Sequence, residues 1–200
     1  MSNQAYQLPF RRVGEDVQVW DKARVLSAEV ISVGDSVIID DFVFLMGGQR
    51  TELGSFVHLA AFAGLVGGGE LFIEDFAGVS GGVRIYTGSD DFLGGSLTGP
   101  TVPAGFRGVT RSFVRLGRHA VIGANSVILP GVTVGEGAAV GACSLVNCDL
   151  EPWTVYAGSP ARPLRARPFK KMLALEAELR ETLYDARGRY RPRREREVAA

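Results

Sequence analysis

Only two imidazoles occur in this chain, His58 and His119. Histidine titrates near neutral pH, so it can take a proton from a hydroxyl or an amine under physiological conditions. Any histidine-dependent chemistry therefore has few places to sit. Other ligand-suited groups gather at Ser89, Asp90 and Asp91, inside the run TGSDDF. Carboxylates there suit a hydroxyl-rich molecule such as a sugar. Phe92 and Phe106, in the same region, can stack on a sugar face or pin their own segment. The two cysteines, Cys143 and Cys148, lack the spacing of a zinc pair and read as small packing residues. No serine or cysteine motif points to a covalent intermediate.

The elements that must position these groups are set by a six-residue beat. Aliphatic residues recur at Val13, Val19, Val25, Val33, Ile39, Leu45, Leu53, Leu59, Leu65, Ile73, Val79 and Ile85, and again from Leu116 through Ile122, Ile128, Val134 and Val140 to Val146. Neither a helix nor a plain strand has that period, whereas a solenoid does. Triplets start at 13, 33, 53 and 73, then at 116 and 134. Three sides per turn follow, giving a triangular prism of short parallel strands stacked about 4.8 Å apart. The aliphatic position should face inward. So should the residue four places later, which is small or β-branched: Val57, Ala63, Ala77, Val83, Ala120, Ser126, Val132, Ala138 and Ser144. Glycine after the aliphatic residue suits a left-handed corner. His58 is the sixth residue of the repeat opening at Leu53, a corner position pointing out of the prism. His119 is the fourth residue of the repeat opening at Leu116 and should also point outward.

Two segments break the beat. Residues 87–112 are rich in Gly, Ser, Thr and Pro and must leave the prism as a long loop, a type of segment that is more often functional than idle. After Pro168, the residues Met172, Leu175, Leu179 and Leu183 fall on one helical stripe. That helix is expected to cap the end of the prism, where open strand edges would otherwise invite aggregation. The basic run Arg189, Arg191, Arg193, Arg194 and Arg196 reads as a solvated, frayed terminus. The expected division is a coil domain over 1–168 and a helix with basic tail over 169–200.

The run IGANSVILPGVTVGEGAAVGACSLV at 122–146, followed by YAGSPAR at 156–162, resembles the hexapeptide-repeat acyltransferases. The resemblance covers roughly residues 13–165. It implies an all-β solenoid, a left-handed parallel β-helix. Residues 57–91 are similar to the subgroup that acetylates sugars for surface polysaccharide. It further implies an acetyl-CoA donor, with Ala124 and Ala142 meeting its pantetheine arm and Arg162 and Arg165 meeting its phosphates. Guanidinium suits phosphate by donating two parallel hydrogen bonds. The acceptor is then a sugar or sugar nucleotide, modified on oxygen or nitrogen. The family's long loop reaches a neighbouring subunit, which implies a homotrimer with sites between subunits. Asn147 and Cys148 stand where many relatives carry a Thr-Lys pair. Better-known relatives also place the catalytic histidine at the start of the loop, where this chain has none. His58 is the candidate base instead, with Asp90 or Asp91 as the alternative, and the resemblance gives His119 no task. Counted by turns, Ala124 and Ala142 lie two and three turns above His58, about 10–15 Å along the axis. That matches the reach of an extended pantetheine.

Several classes are disfavoured. The 22 basic and 22 acidic residues cancel, so the overall charge does not suggest a nucleic-acid partner. No apolar run reaches the ~20 residues that span a bilayer, and the start of the chain does not look like a signal peptide. A cytoplasmic location is expected. A zinc-dependent carbonic anhydrase on the same coil needs three histidines, and His58 and His119 fall in different turns. No metal is expected. The remaining rival is a non-catalytic sugar-binding or scaffold member of the same fold.

Overall fold

The computed structural model describes residues 3–198. Three parallel sheets form the walls of one column, the left-handed β-helix expected from the repeat. The first wall stacks Arg12–Val13, Ile31–Val33, Arg50–Leu53, Glu70–Ile73, Phe113–Leu116 and Val132–Val134. The second stacks Gln18–Val19, Ile38–Ile39, His58–Leu59, Gly78–Val79, Val121–Ile122, Ala139–Val140 and Thr154–Ala157, then Arg162–Ala166 in the opposite sense. The third stacks Arg24–Leu26, Phe44–Met46, Gly64–Val66, Arg84–Tyr86, Val127–Ile128 and Leu145–Val146. Both inward positions behave as the pattern requires. Leu53, Leu59 and Leu65 of one turn are buried, and so are Val57, Ala63, Ser126 and Ser144. Val13 and Val25, in the first turn, are only partly buried.

The glycines after the aliphatic positions are needed for a reason other than the expected one. A Cβ on Gly34 would lie 2.6 Å from the carbonyl carbon of Gly54 in the next turn, and one on Gly54 would lie 2.7 Å from the Asp75 nitrogen. Close stacking of turns excludes a side chain there. The left-handed residue falls two places later, at Ser36, Phe56, His119 and Asn125, with φ of 55°, 59°, 61° and 58°. Gly34→Ala is therefore expected to cost at least about 2 kcal/mol, as overpacking does. Gly78, on the outer face of the second wall, has nothing within 4 Å of an added Cβ. Gly78→Ala should stay within about 0.5 kcal/mol of wild type. Urea denaturation of the two variants measures the difference; equal stabilities would refute the stacking argument.

Both ends of the column are covered by strands and turns. At the start, Gln4 donates to the Val19 carbonyl at 3.1 Å and Asn3 donates from Nδ2 to the Val17 carbonyl at 2.8 Å, over a buried Ala5. At the other end, the hairpin of Thr154–Ala157 and Arg162–Ala166 closes the second wall.

The helix α1, Lys170–Leu183, does not cap the end. It lies along the edge between the first and second walls, from Trp153 down towards Asp75. Phe169 meets Trp153 at 5.1 Å, and Arg180 reaches Asp75 at 2.8 Å. A polar residue rather than the apolar stripe is its most buried contact. Glu176 is 7% exposed, while Leu175 is 54% exposed. The chain then continues down the same edge. Tyr190 donates to Asp16 at 3.0 Å, and Arg194 pairs with Glu15 at 3.2 Å, just inside the short helix α2, Arg193–Val198. Of the basic run, Arg193 and Arg194 thus touch the first turn while Arg189 pairs with Asp185 and Glu195 inside the tail, and these side chains stay solvent-exposed; the side chain of Arg196 lies outside the described residues. Among the described residues, no helix is long and apolar enough to cross a membrane.

Candidate functional site

His58 stands on the second wall, not at a corner. Phe56 takes the corner, and His58 opens the strand that pairs with Ile38 on one side and Gly78 on the other. Its ring points outward and is 53% exposed. Nε2 lies 3.0 Å from the Asp40 carboxylate. An ionised carboxylate can only accept, so in the neutral ring Nε2 carries the proton and Nδ1 keeps the lone pair. A base held in one tautomer by an acid is the arrangement proton abstraction requires. Asp40 was not singled out from the sequence, yet the period contains it. Twenty residues before His58 is its in-register partner Ile38, and Asp40 lies two further on, pointing from the same wall.

Ala124 and Ala142 lie on the edge between the second and third walls. They follow strands two and three rungs from that of His58, as the count of turns requires. The Cys143 N–H donates to the Ala124 carbonyl at 2.8 Å, so these corners are stacked. The stack continues downward through Gly81 and Ala61, because Asn125 donates to the Gly81 carbonyl and Gly82 to the Ala61 carbonyl, each at 3.0 Å. Four small residues in successive turns thus make a smooth strip from Ala142 to the turn that holds His58. Its lower half was missed in the sequence because Ala61 and Gly81 look like ordinary turn residues one at a time. Arg162 and Arg165 are exposed on the last strand of the second wall, at the far end of the column. Cys143, expected to pack inward, is exposed at a corner, and Cys148 is exposed as well.

The loop is an arm on another edge. Gly88–Asp90 pairs antiparallel with Val109–Arg111, and Ser112 donates to the Thr87 carbonyl at 2.7 Å to pinch its base. It leaves between the third and first walls, opposite the second wall. Ser89 Oγ donates to the Asp90 carbonyl at 2.9 Å, and the Gly99 N–H donates to Asp90 Oδ2 at 3.3 Å. Asp91 shapes the arm itself, accepting from the Leu93 N–H at 2.7 Å and from Ser96 Oγ at 3.4 Å. The Leu93 bond holds its carboxyl below the usual aspartate value, against an opposing contribution from desolvation and with bonds from Gly95 and Ser96 adding to the lowering. Phe92 and Phe106 pin nothing, being 87% and 67% exposed. One chain thus unites His58 with the small-residue strip but leaves Ser89, Asp90 and Asp91 on a different side.

His119 points out of the prism, as expected, but it is covered. It is 6% exposed at the first–second edge, stacked on Phe76 at 5.0 Å and bonded through Nε2 to Glu176 at 2.6 Å. Helix α1 covers it, so it belongs to the attachment of that helix. Among the described residues, no group of three or more His, Cys, Asp or Glu is placed to hold a metal ion.

Six-residue sides stacked into three parallel walls define a hexapeptide-repeat β-helix. A family model, the bacterial transferase hexapeptide (six repeats), matches residues 113–148. The dTDP-4-amino-4,6-dideoxy-D-glucose acyltransferase of Escherichia coli is 38% identical over 175 residues, 87% of this chain and 91% of the relative. A chloramphenicol acetyltransferase of Agrobacterium fabrum is 38% identical over 65 residues, 32% of this chain and 31% of that one. AntD, an N-acyltransferase from Bacillus cereus, superposes with a TM-score of 0.83 at 39% identity. In its complex with dTDP and 3-hydroxybutyryl-CoA, 88% of this chain and 93% of that chain are covered. The chain belongs to the hexapeptide-repeat acyltransferases.

Proposed function

We propose that this enzyme moves an acyl group from acyl-CoA to the amine of a nucleotide-linked amino sugar. The observation that carries the reading is the strip Ala61, Gly81, Ala124 and Ala142 ending beside the His58–Asp40 pair. The strip lacks side chains that would hold a pantetheine arm off the backbone, so an acyl-CoA thioester fits along it. Arg162 and Arg165, on the last strand of the second wall, would meet its phosphates. When bound, the donor supplies an activated carbonyl. His58 accepts the proton that the attacking amine loses, and Asp40 holds the ring in the competent tautomer. The Escherichia coli relative is named for acyl transfer to a dTDP-amino sugar, and AntD has been solved with dTDP and coenzyme A. Both support a sugar-nucleotide acceptor here.

AntD has also been solved with substitutions at a serine and at an aspartate ten positions further on. In this chain only Ser80 is followed by an aspartate at that distance, Asp90. Ser80 ends the strand next to that of His58, on the edge that bears the strip. This supports Asp90, with Ser89 and Asp91 beside it, as part of the acceptor pocket and adds Ser80 to the candidates. Ser80 and Asp90 lie on different sides of one column, so a shared pocket needs a second copy. We therefore infer a homotrimer in which one arm reaches the second wall of its neighbour. The arm carries Phe92, Leu93, Leu97 and Phe106, all at least 60% exposed, which suits a partner-facing element. We place the reaction in the cytoplasm, where both substrates are made, supplying modified sugars for surface polysaccharide.

The test is coenzyme A release with dTDP-4-amino-4,6-dideoxyglucose as acceptor and acetyl-CoA or 3-hydroxybutyryl-CoA as donor, with light scattering on the same sample. Turnover with either donor at a trimer mass is expected. Absence of turnover, together with no binding of coenzyme A, would favour the scaffold reading. An active monomer would refute the shared pocket.

A further inference from the structure

The strip of small residues stops at Ala61, and the next residue is Phe62. Its ring is stacked on Phe42 of the turn below, with centroids 5.0 Å apart and planes within 5°. The two rings are 58% and 49% exposed. Around the corner, on the third wall, Phe44 and Tyr86 are 38% and 36% exposed. Between them, Gly64 leaves a hollow of about 250 Å³. Arg84 lies across that hollow, since a Cβ on Gly64 would come 3.0 Å from Arg84 Cδ. Its Nη1 donates to the carbonyls of Gly82 at 3.0 Å and Val83 at 3.2 Å, and to that of Phe62. The guanidinium is thus tied to the corner backbone while its side chain remains exposed.

We propose that this hollow seats the nucleoside end of the sugar-nucleotide acceptor, a reading that rests on the acceptor class proposed above. Three observations favour a nucleotide over other occupants. Phe62, exposed and backed by the Phe42 ring on which Lys22 sits, offers one flat face to a base, and stacking tolerates any base because each has a π-face. A fixed guanidinium at the rim complements a diphosphate. The hollow also begins where the donor strip ends, so a molecule seated there points its sugar towards His58 and Ser80. Donor and acceptor then approach the base from opposite ends of one edge, Ala142 to Ala61 for the thioester and Phe62 onward for the nucleotide. This assigns Phe62, Tyr86 and Arg84 to acceptor binding.

Calorimetric titration of dTDP into wild type, Phe62→Ala, Phe62→Trp and Arg84→Met tests it, with coenzyme A as the control ligand and light scattering for mass. The Kd for dTDP should rise about tenfold or more in Phe62→Ala, the scale of losing one aromatic face beneath a base. Arg84→Met should weaken dTDP comparably, and Phe62→Trp should retain its affinity. The Kd for coenzyme A and the mass should not move. Unchanged dTDP affinity in both Phe62→Ala and Arg84→Met overturns the seat while leaving the acceptor class intact. A loss of mass in step with lost binding overturns it in favour of a contact between copies. Wild type that binds coenzyme A but not dTDP overturns the seat and the acceptor reading together.

Discussion

His58→Ala is expected to lower kcat by about 10²–10⁴-fold, the usual worth of a positioned general base. The KM for acyl-CoA should stay near wild type, because the strip and the terminal arginines are untouched. The ring is already oriented, with Nε2 3.0 Å from Asp40, so removing it deletes a prepared acceptor for the amine proton. Asp40→Asn should cost less, about tenfold, since an amide can still meet the ring but no longer enforces the tautomer. Steady-state kinetics with saturating donor separates the cases. Wild-type turnover in His58→Ala would move the proton to Asp90 or leave catalysis to alignment of the reactants, which alone can lower a barrier by up to ~7–11 kcal/mol.

Glu176→Ala is expected to destabilise the attachment of α1 by about 3 kcal/mol, in the range for deleting one partner of a buried ion pair. The Glu176 side chain is 5% exposed and takes Arg118 at 3.0 Å, Arg180 at 2.7 Å and His119 at 2.6 Å. Removing it takes one carboxylate from each arginine and the acceptor from the buried imidazole. Arg118 keeps Glu136 at 2.7 Å, and Arg180 keeps Asp75, but His119 is left facing apolar neighbours. Burial alone would raise the Glu176 carboxyl. The hydrogen bonds from Arg180 and His119, with the charges of Arg118 and Arg180, outweigh burial and hold it below its ordinary value. A carboxyl depressed by folding contributes its full stabilisation above the ordinary glutamate range and loses it as pH falls through the lower folded-state value. The protection factors of the α1 amides should therefore fall in acid in wild type and already be low at neutral pH in Glu176→Ala. Equal protection in the two proteins at neutral pH would show that the apolar contacts of Met172 and Leu179 hold the helix instead.

The repeat made the column legible residue by residue. Inward positions such as Leu59 and Val57 came from spacing, and so did the distance from His58 to Ala124 and Ala142. The reason is that a solenoid core is local: each turn packs on the next at a fixed offset, so sequence distance converts directly into spatial distance. The arm was legible for the same reason, because Gly- and Pro-rich residues cannot keep the beat.

What the sequence could not settle involved residues that meet outside the beat or at its corners. A six-residue period does not say on which residue the corner turns. His58 was thus placed at an edge when it lies on a wall, and the left-handed φ was assigned to glycines that are instead excluded from side chains by the turn above. His119 does point out of the prism, but its burial was hidden because the helix that covers it is about 57 residues away, brought back along the edge by Glu176. The apolar stripe of α1 suggested burial by hydrophobic residues, whereas its most buried side chain is the carboxylate of Glu176 among Arg118, His119 and Arg180. The composition and period of this chain determined the fold, the inward core and the stacking of Ala124 and Ala142 in successive turns. Tertiary structure alone decided which outward groups meet, because contacts such as Asp40 with His58 and Glu176 with His119 depend on the exact turn of each corner and on the return path of the C-terminal segment.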